Sequence, residues 1–401
     1  MNIRLLVLIL VVGIFSQCKE KASAPGTFAY DLHFLQQQDS ALVVLRQGNA
    51  EVVVSPKYQG KVFTSTAAGD SGMSFGWIHY KAFSGPADTH MNAYGGENRL
   101  WLGPEGGRFS LFFPPGAKME FANWKTPAAF DTEPWTVVGR TDSGVSLEKE
   151  MLLSNYTGAP LQLIIERYIR VLAWSAIDTR LGLTPDTSVQ AVGYTTLNVM
   201  TNTGSQAWTG TTGMPCMWLL DMFNPSPETT IVIPYASSSV YDTGKPATTD
   251  YFGEIPPDRI KYQDSILYFK ADGRNRGKLG VHPMRAKPMI GSYDALHHVL
   301  TIAQFDIDGS ARYLNQKWNT VDPPFSGDAV NAYNDGPLAD GSQMGPFYEL
   351  ESVGPAAMMK PNEHLTHQHD VFHFTGPEAS LDKISQAVLG VSIGEIKQAF
   401  H

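Results

Sequence analysis

Cysteine is nearly missing from this chain, with only Cys18 and Cys216 in 401 residues. A disulfide framework is thereby excluded once Cys18 is otherwise committed, and a large apolar core has to supply the stability. Basic clusters are missing as well. A net charge of −9 without a run of Lys and Arg excludes nucleic acid and other polyanions as partners. No H-E-x-x-H pair, P-loop or helix-opening G-x-G-x-x-G occurs, so the commonest zincin and nucleotide signatures are lacking. Nor is there a repeat of roughly 20 to 50 residues, which argues against a solenoid or propeller.

What is present begins with "MNIRLLVLILVVGIFSQCKEK". Its charged start and short apolar run, Leu5 to Phe15, fall short of the roughly 20 residues that span a bilayer. Residues 1–17 therefore read as an export signal. "FSQC" resembles a bacterial lipobox in which Cys18 is lipidated, with Gln17 where Gly, Ala or Ser is usual; simple secretion is the alternative. Residues 18–27, small and polar with a proline, suit a tether. The expected location is the bacterial envelope, lipid-anchored at the outer membrane. Cys216, in "TGMPCMWLLD", reads as a buried, inert thiol.

With 43% hydrophobic and 17% charged residues, the chain can form one large domain or two smaller ones. From Phe28 to about Thr375, short runs of Val, Ile, Leu, Phe, Tyr and Thr alternate with Gly, Pro, Asn and Asp clusters, the pattern of strands and turns. "ALVVLRQGNAEVVVSP" predicts two strands around a turn, and "YDALHHVLTIAQFDIDG" one long strand. Helical spacing is expected only in residues 377–401, where two short helices flank "LGVS". The fold class is all-β, a large antiparallel two-sheet sandwich over residues 28–376 with that helical appendage.

Three clusters carry candidate chemistry. "YGGENRLWLGPEGG" predicts a turn, a strand and a second turn, with Asn98, Leu100 and Leu102 on one face and Arg99 and Trp101 on the other. A guanidinium beside an indole suits a polyhydroxylated ring. The plainer alternative is an Arg paired with Glu97 or Glu105 and a core Trp. In "GPFYELESVGPAAMMKPNEHLTHQHDVFHF", Glu349 and Glu351 share a face and raise each other's pKa, while His367, His369 and His373 share another. Zinc binding by these histidines is one reading and a polar, substrate-facing strand the other; adjacent ligands so far apart along one strand favour the second. In "APLQLIIERYIRVL", Glu166, Tyr168 and Arg170 share a face, by charge pairing or as part of a site.

The order "ENRLWLGPEGG", "LSNYTGAPLQLIIERYIRV", "FYELESVGPAAMMKPNEHLTHQHDVFHF" resembles the galactose mutarotase-like superfamily, which includes aldose 1-epimerases. With "GDAVNAYNDGP" and "FYELES" it is most similar to uncharacterised bacterial envelope lipoproteins of that fold. The resemblance implies a β-supersandwich, carbohydrate as partner and Glu351 as general base. It sets Glu166 where the epimerases carry their general-acid His, and no His occurs between His90 and His282. The groove it implies is lined by Asn98, Arg99, Trp101, Tyr168, Glu349, His367 and His369, with Asn331, Asn334 and Asp335 from the "NAYNDG" loop. No cofactor or metal is implied, and a monomer is expected. An epimerase-like enzyme, a non-catalytic sugar-binding module and a zinc-dependent hydrolase are the three functions left open.

Overall fold

The computed structural model describes residues 24–184, 186–237 and 245–401. The expected signal peptide, Cys18 and most of the tether lie outside the described residues.

Alternating patterns fold as antiparallel strands. In the strand Pro160–Val171, Leu161, Leu163, Ile165, Ile169 and Val171 point inward and Gln162, Tyr168 and Arg170 point to solvent. This strand lies in a ten-stranded sheet with Gly144–Ser154, Gln190–Asn202 and His364–Thr375 as close neighbours. Facing it are a three-stranded sheet, residues 43–66, and a five-stranded sheet. The five strands run in the order Gly277–Val281, Val330–Asn334, Tyr348–Val353, Cys216–Phe223, Arg99–Gly103. A bridge from Val62 to Asn98 joins the two smaller sheets into one layer. The C-terminal helices, Glu378–Leu389 and Ile393–Gln398, cover the outer face of the large sheet through Leu381, Ile384, Leu389 and Ile396.

Three local expectations change. Phe28–Gln38 is a helix, its Phe28 and Leu35 packed on Val53 and Phe63 of the three-stranded sheet. Trp174–Leu181 is a second helix, stopped by Gly182 in the left-handed region at φ 66°. The expected long strand "YDALHHVLTIAQF" is a hairpin, Met289–Asp294 against Val299–Phe305. Asp294 makes that turn without a glycine, accepting hydrogen bonds from the Leu296 and His297 amides.

Between the layers lies a wholly buried polar row. Arg167 donates to the side-chain oxygens of Asn98 and of Asn198 (2.9 Å). Asn98 donates to Asp221 at 2.6 Å, and His369 Nε2 meets the other Asp221 oxygen at 2.7 Å. Ser352 Oγ is 2.8 Å from both His369 Nδ1 and His367 Nε2. Farther along, His373 joins Glu97 (3.0 Å) to Thr301 (2.9 Å). Burial of these groups is offset by the bonds they make to one another, although Arg167 Nε, His367 Nδ1 and Glu97 Oε2 have no protein partner among the described residues. It lowers the Arg167 pKa to about 10 and that of His367 to about 3, so His367 is neutral.

Removing one member of such a row leaves the others buried and unpaired. Arg167→Leu is expected to cost about 3 kcal/mol, read as a lower urea midpoint at unchanged m-value. A loss below about 1 kcal/mol would mean the row contributes little to stability.

Candidate functional site

The outer face of the five-stranded sheet carries the deepest cluster of charged and aromatic side chains. Strand alternation decides which residues reach it: with Asn98, Asp221 and Ser352 turned inward, their neighbours Arg99, Trp101, Trp218, Leu220, Glu349 and Glu351 turn outward. In register beside them, Asn331 faces Glu351 and Tyr333 faces Glu349 on one side of the sheet, and Lys278 lies opposite Tyr333. The turns on either side of the Arg99 strand require glycine. Gly95 has φ 86°, and a Cβ there would lie 2.2 Å from the Trp77 carbonyl oxygen; one on Gly106 would lie 2.2 Å from that of Lys317.

These residues form a small cleft of about 120 Å³, open to solvent. Its floor holds two diagonal ion pairs, Arg99 with Glu349 at 2.5 Å and Lys278 with Glu351 at 3.2 Å. Trp218 Nε1 donates to the same Glu351 oxygen at 2.8 Å, and the Lys278 ammonium lies 4.3 Å from the Trp218 ring centre. Arg99 stacks over Trp101 at 4.9 Å. Glu105, Trp124, Trp318, Phe252, Phe347 and Arg276 form the walls. Arg276 packs 3.9 Å from the Phe252 ring centre and donates to Tyr333 Oη at 3.3 Å.

The floor is dry. Arg99 Nε, Trp124 Nε1 and Glu351 Oε1 are buried without a protein partner among the described residues. Burial raises the Glu349 carboxyl to about 8; Arg99 opposes the shift and Glu351 adds to it. Burial raises Glu105 too, with Lys278 opposing and Glu351 adding. Burial thus pushes the Glu349 carboxyl toward its protonated form, against the pull of the Arg99 guanidinium it pairs with. No group of three or more His, Cys, Asp and Glu placed to hold a metal occurs among the described residues.

The sequence-derived candidates fall into three places. Arg99, Trp101 and Glu349 line the cleft, and Glu351 lies beneath it, wholly buried. Asn331 is buried beside Glu351, its amide without a protein partner among the described residues. "NAYN" is strand rather than loop. Asn334 faces away from the cleft and fixes the loop at 273–275, and Asp335 accepts from Tyr333 Oη (3.0 Å) and the Gly345 amide (2.8 Å). Asn98, His367 and His369 belong to the buried row and do not line the cleft. Glu166 and Tyr168 lie on the outer face of the large sheet, Tyr168 donating to Glu166 at 2.6 Å. The side chain that points toward the cleft layer from that strand is Arg167. Arg99 pairs with neither Glu97 nor Glu105 but with Glu349, 250 residues away. Cys216 is buried, its thiol pushed up to about 12.

Sequence reasoning missed Lys278, Arg276 and the indoles of Trp124, Trp218 and Trp318. A lone Lys in "RGKLGV" carries no local signal, because an alternating Lys is usually solvated. Only the alternation of Trp218, Leu220 and Asp221 in "CMWLLDMF" hinted at which face the indole takes.

A carboxyl with a raised folded-state pKa keeps its proton in the folded state while the unfolded chain loses it. Between pH 4.5 and 8 Glu349 thus withdraws stability as pH rises. The difference in melting temperature between Glu349→Gln and wild type is expected to move in favour of the variant from pH 5 to pH 8. A pH-independent difference would contradict the raised pKa.

Comparisons place this architecture. The E. coli K12 protein put forward as an aldose 1-epimerase superposes with TM-score 0.50 at 12% identity, covering 83% of this chain and 98% of that one. A galactose mutarotase-like protein from Lactobacillus casei ATCC 334 gives 0.46 at 11%, covering 83% and 100%. A galactose mutarotase related enzyme from Lactobacillus acidophilus gives 0.40 at 8%, covering 83% and 97%. At such identities the likeness is one of fold. A comparison with curated proteins finds no match. The profile of DUF6786, a family of unknown function, matches residues 26–400. The chain is thus a β-supersandwich of the galactose mutarotase-like type, and it belongs to the family DUF6786.

Proposed function

We propose that the protein binds carbohydrate in the cleft of the five-stranded sheet. The observation that carries this reading is the Arg99–Glu349 pair set among indole rings, in a site with unpartnered buried donors. Arg99 and, when protonated, Glu349 donate to hydroxyl oxygens, and Trp101, Trp124 or Trp218 offers a face to the C–H side of a ring. Within this reading Glu349, rather than Glu351, is the carboxyl that meets the sugar, because Glu351 Oε2 is held by Trp218 and Lys278.

A second reading is epimerase-like chemistry, supported by the raised pKa of Glu349, which suits a general acid for a ring oxygen. Ring opening also needs a base at the anomeric hydroxyl. Glu351 has a free oxygen but is wholly buried, which favours binding over turnover. The zinc-dependent alternative loses its support, since the late histidines are spent on Asp221, Ser352, Glu97 and Thr301. The N-terminal sequence supports an envelope lipoprotein anchored through Cys18.

A thermal-shift screen against monosaccharides and oligosaccharides is expected to raise the melting temperature of wild type with at least one ligand, and Arg99→Met should abolish that shift. Failure of every sugar would sink the reading. With the ligand in hand, NMR of anomer exchange separates the two functions: acceleration lost in Glu349→Gln means an enzyme, and no acceleration means a binder. Cys18→Ala is expected to move the protein from the membrane to the soluble fraction. Unchanged membrane association would refute the lipid anchor.

A further inference from the structure

The inner cleft does not end at its rim. A second cavity of about 430 Å³ adjoins it, and the two share Met91, Phe121, Trp124 and Met344 as a common wall. The shared wall is aromatic and ordered in one direction. The His90 ring stacks on Phe121 (centroids 4.4 Å, planes 25° apart), Phe121 lies nearly parallel to Trp124 (6.1 Å, 17°), and Trp124 to Trp318 inside the cleft (6.0 Å, 22°).

Phe121 is 61% exposed, whereas Trp124 behind it is buried. Held between the His90 and Trp124 rings and still 61% exposed, Phe121 offers apolar ring surface to a ligand between the two cavities. The outer cavity is fixed by hydrogen bonds before any ligand arrives. His90 Nδ1 donates to the Trp124 carbonyl at 2.6 Å, Asp88 accepts from the His90 amide at 2.7 Å, and Asn92 donates to Asp131 at 2.9 Å. Asp88, Asn92, Ser342 and Gln343 supply polar groups around that platform. An aromatic face ringed by such groups matches the two kinds of surface on a pyranose, its C–H face and its hydroxyl edge.

We propose that Phe121 is the platform of an outer subsite for a second sugar ring, so that the ligand is an oligosaccharide whose terminal residue occupies the inner cleft. This rests on the carbohydrate reading of the inner cleft and goes beyond it in size class. A short platform adjoining a closed floor, in place of a long open groove, fits recognition of a chain end. Trp124 is the hinge of the arrangement, since it lines both cavities.

The test is isothermal titration of wild type, Phe121→Ala and Arg99→Met with glucose, galactose and mannose, and with their homodisaccharides in both anomeric linkages. In the sugar series that binds, the disaccharide is expected to bind wild type about tenfold tighter than the monosaccharide, a usual size for one added aromatic contact. Phe121→Ala should remove that gain by weakening the disaccharide more than the monosaccharide, since Phe121 also borders the inner cleft, whereas Arg99→Met should weaken both. Because Phe121 is exposed, its loss should leave the melting temperature near that of wild type. Equal affinity for monosaccharide and disaccharide overturns the outer subsite alone, as does a Phe121→Ala variant that weakens both ligands equally. No binding in any series overturns the inner-cleft reading and this one with it.

Discussion

The buried row from Arg167 through Asn98, Asp221, His369 and Ser352 is the constraint on which the cleft depends. Three strands of the five-stranded sheet each send one polar residue inward to it. Side chains alternate with period two, so fixing Asn98, Asp221 and Ser352 inward fixes Arg99, Leu220 and Glu351 outward. A slip of one residue would leave Arg99 and Glu349 against the apolar core and strand the row unpaired. The register is thereby held by polar groups that lie beneath the cleft rather than in it.

The same row explains the character of the cleft above it. Two carboxylates, an ammonium and a guanidinium share a floor that water hardly reaches, and each group is tolerated through a diagonal partner. Burial pushes the Glu349 carboxyl up, toward its protonated, donating form. Together with the unpartnered Arg99 and Trp124 nitrogens, this makes the site rich in donors. Hydroxyl oxygens and ring oxygens are the acceptors that such a surface matches.

Much of the fold was legible locally. The turn-strand-turn at Tyr94–Gly107, the shared face of Glu349 and Glu351, the first hairpin and the two closing helices follow from alternation, glycine placement and helical spacing. The helix Phe28–Gln38 was not read, although Phe28, Leu32 and Leu35 have helical spacing, because strand-forming composition surrounds it. The hairpin within "YDALHHVL" was hidden because a side-chain carboxylate, not Gly or Asn-Gly, closes its turn. For Glu166 and Tyr168, motif order aligned the strand but could not say which face was inward. Arg167 takes that face because the buried side-chain oxygens of Asn98 and Asn198 accept from its guanidinium there.

The sequence by itself determined an all-β chain with few alternatives: alternating apolar residues, turn glycines and the order of its motifs point to one architecture. It also determined which residues share a face, since period two is a property of the backbone alone. Tertiary structure decided which shared faces look at one another. Arg99 and Glu349 are 250 residues apart, and nothing local to either records the other. Pairing across that distance is set by sheet order and by the buried row. Three histidines that read as a ligand-facing set became a structural brace, and a lone Lys278 became part of the site, because burial and partner, not residue type, decide what a charged side chain does.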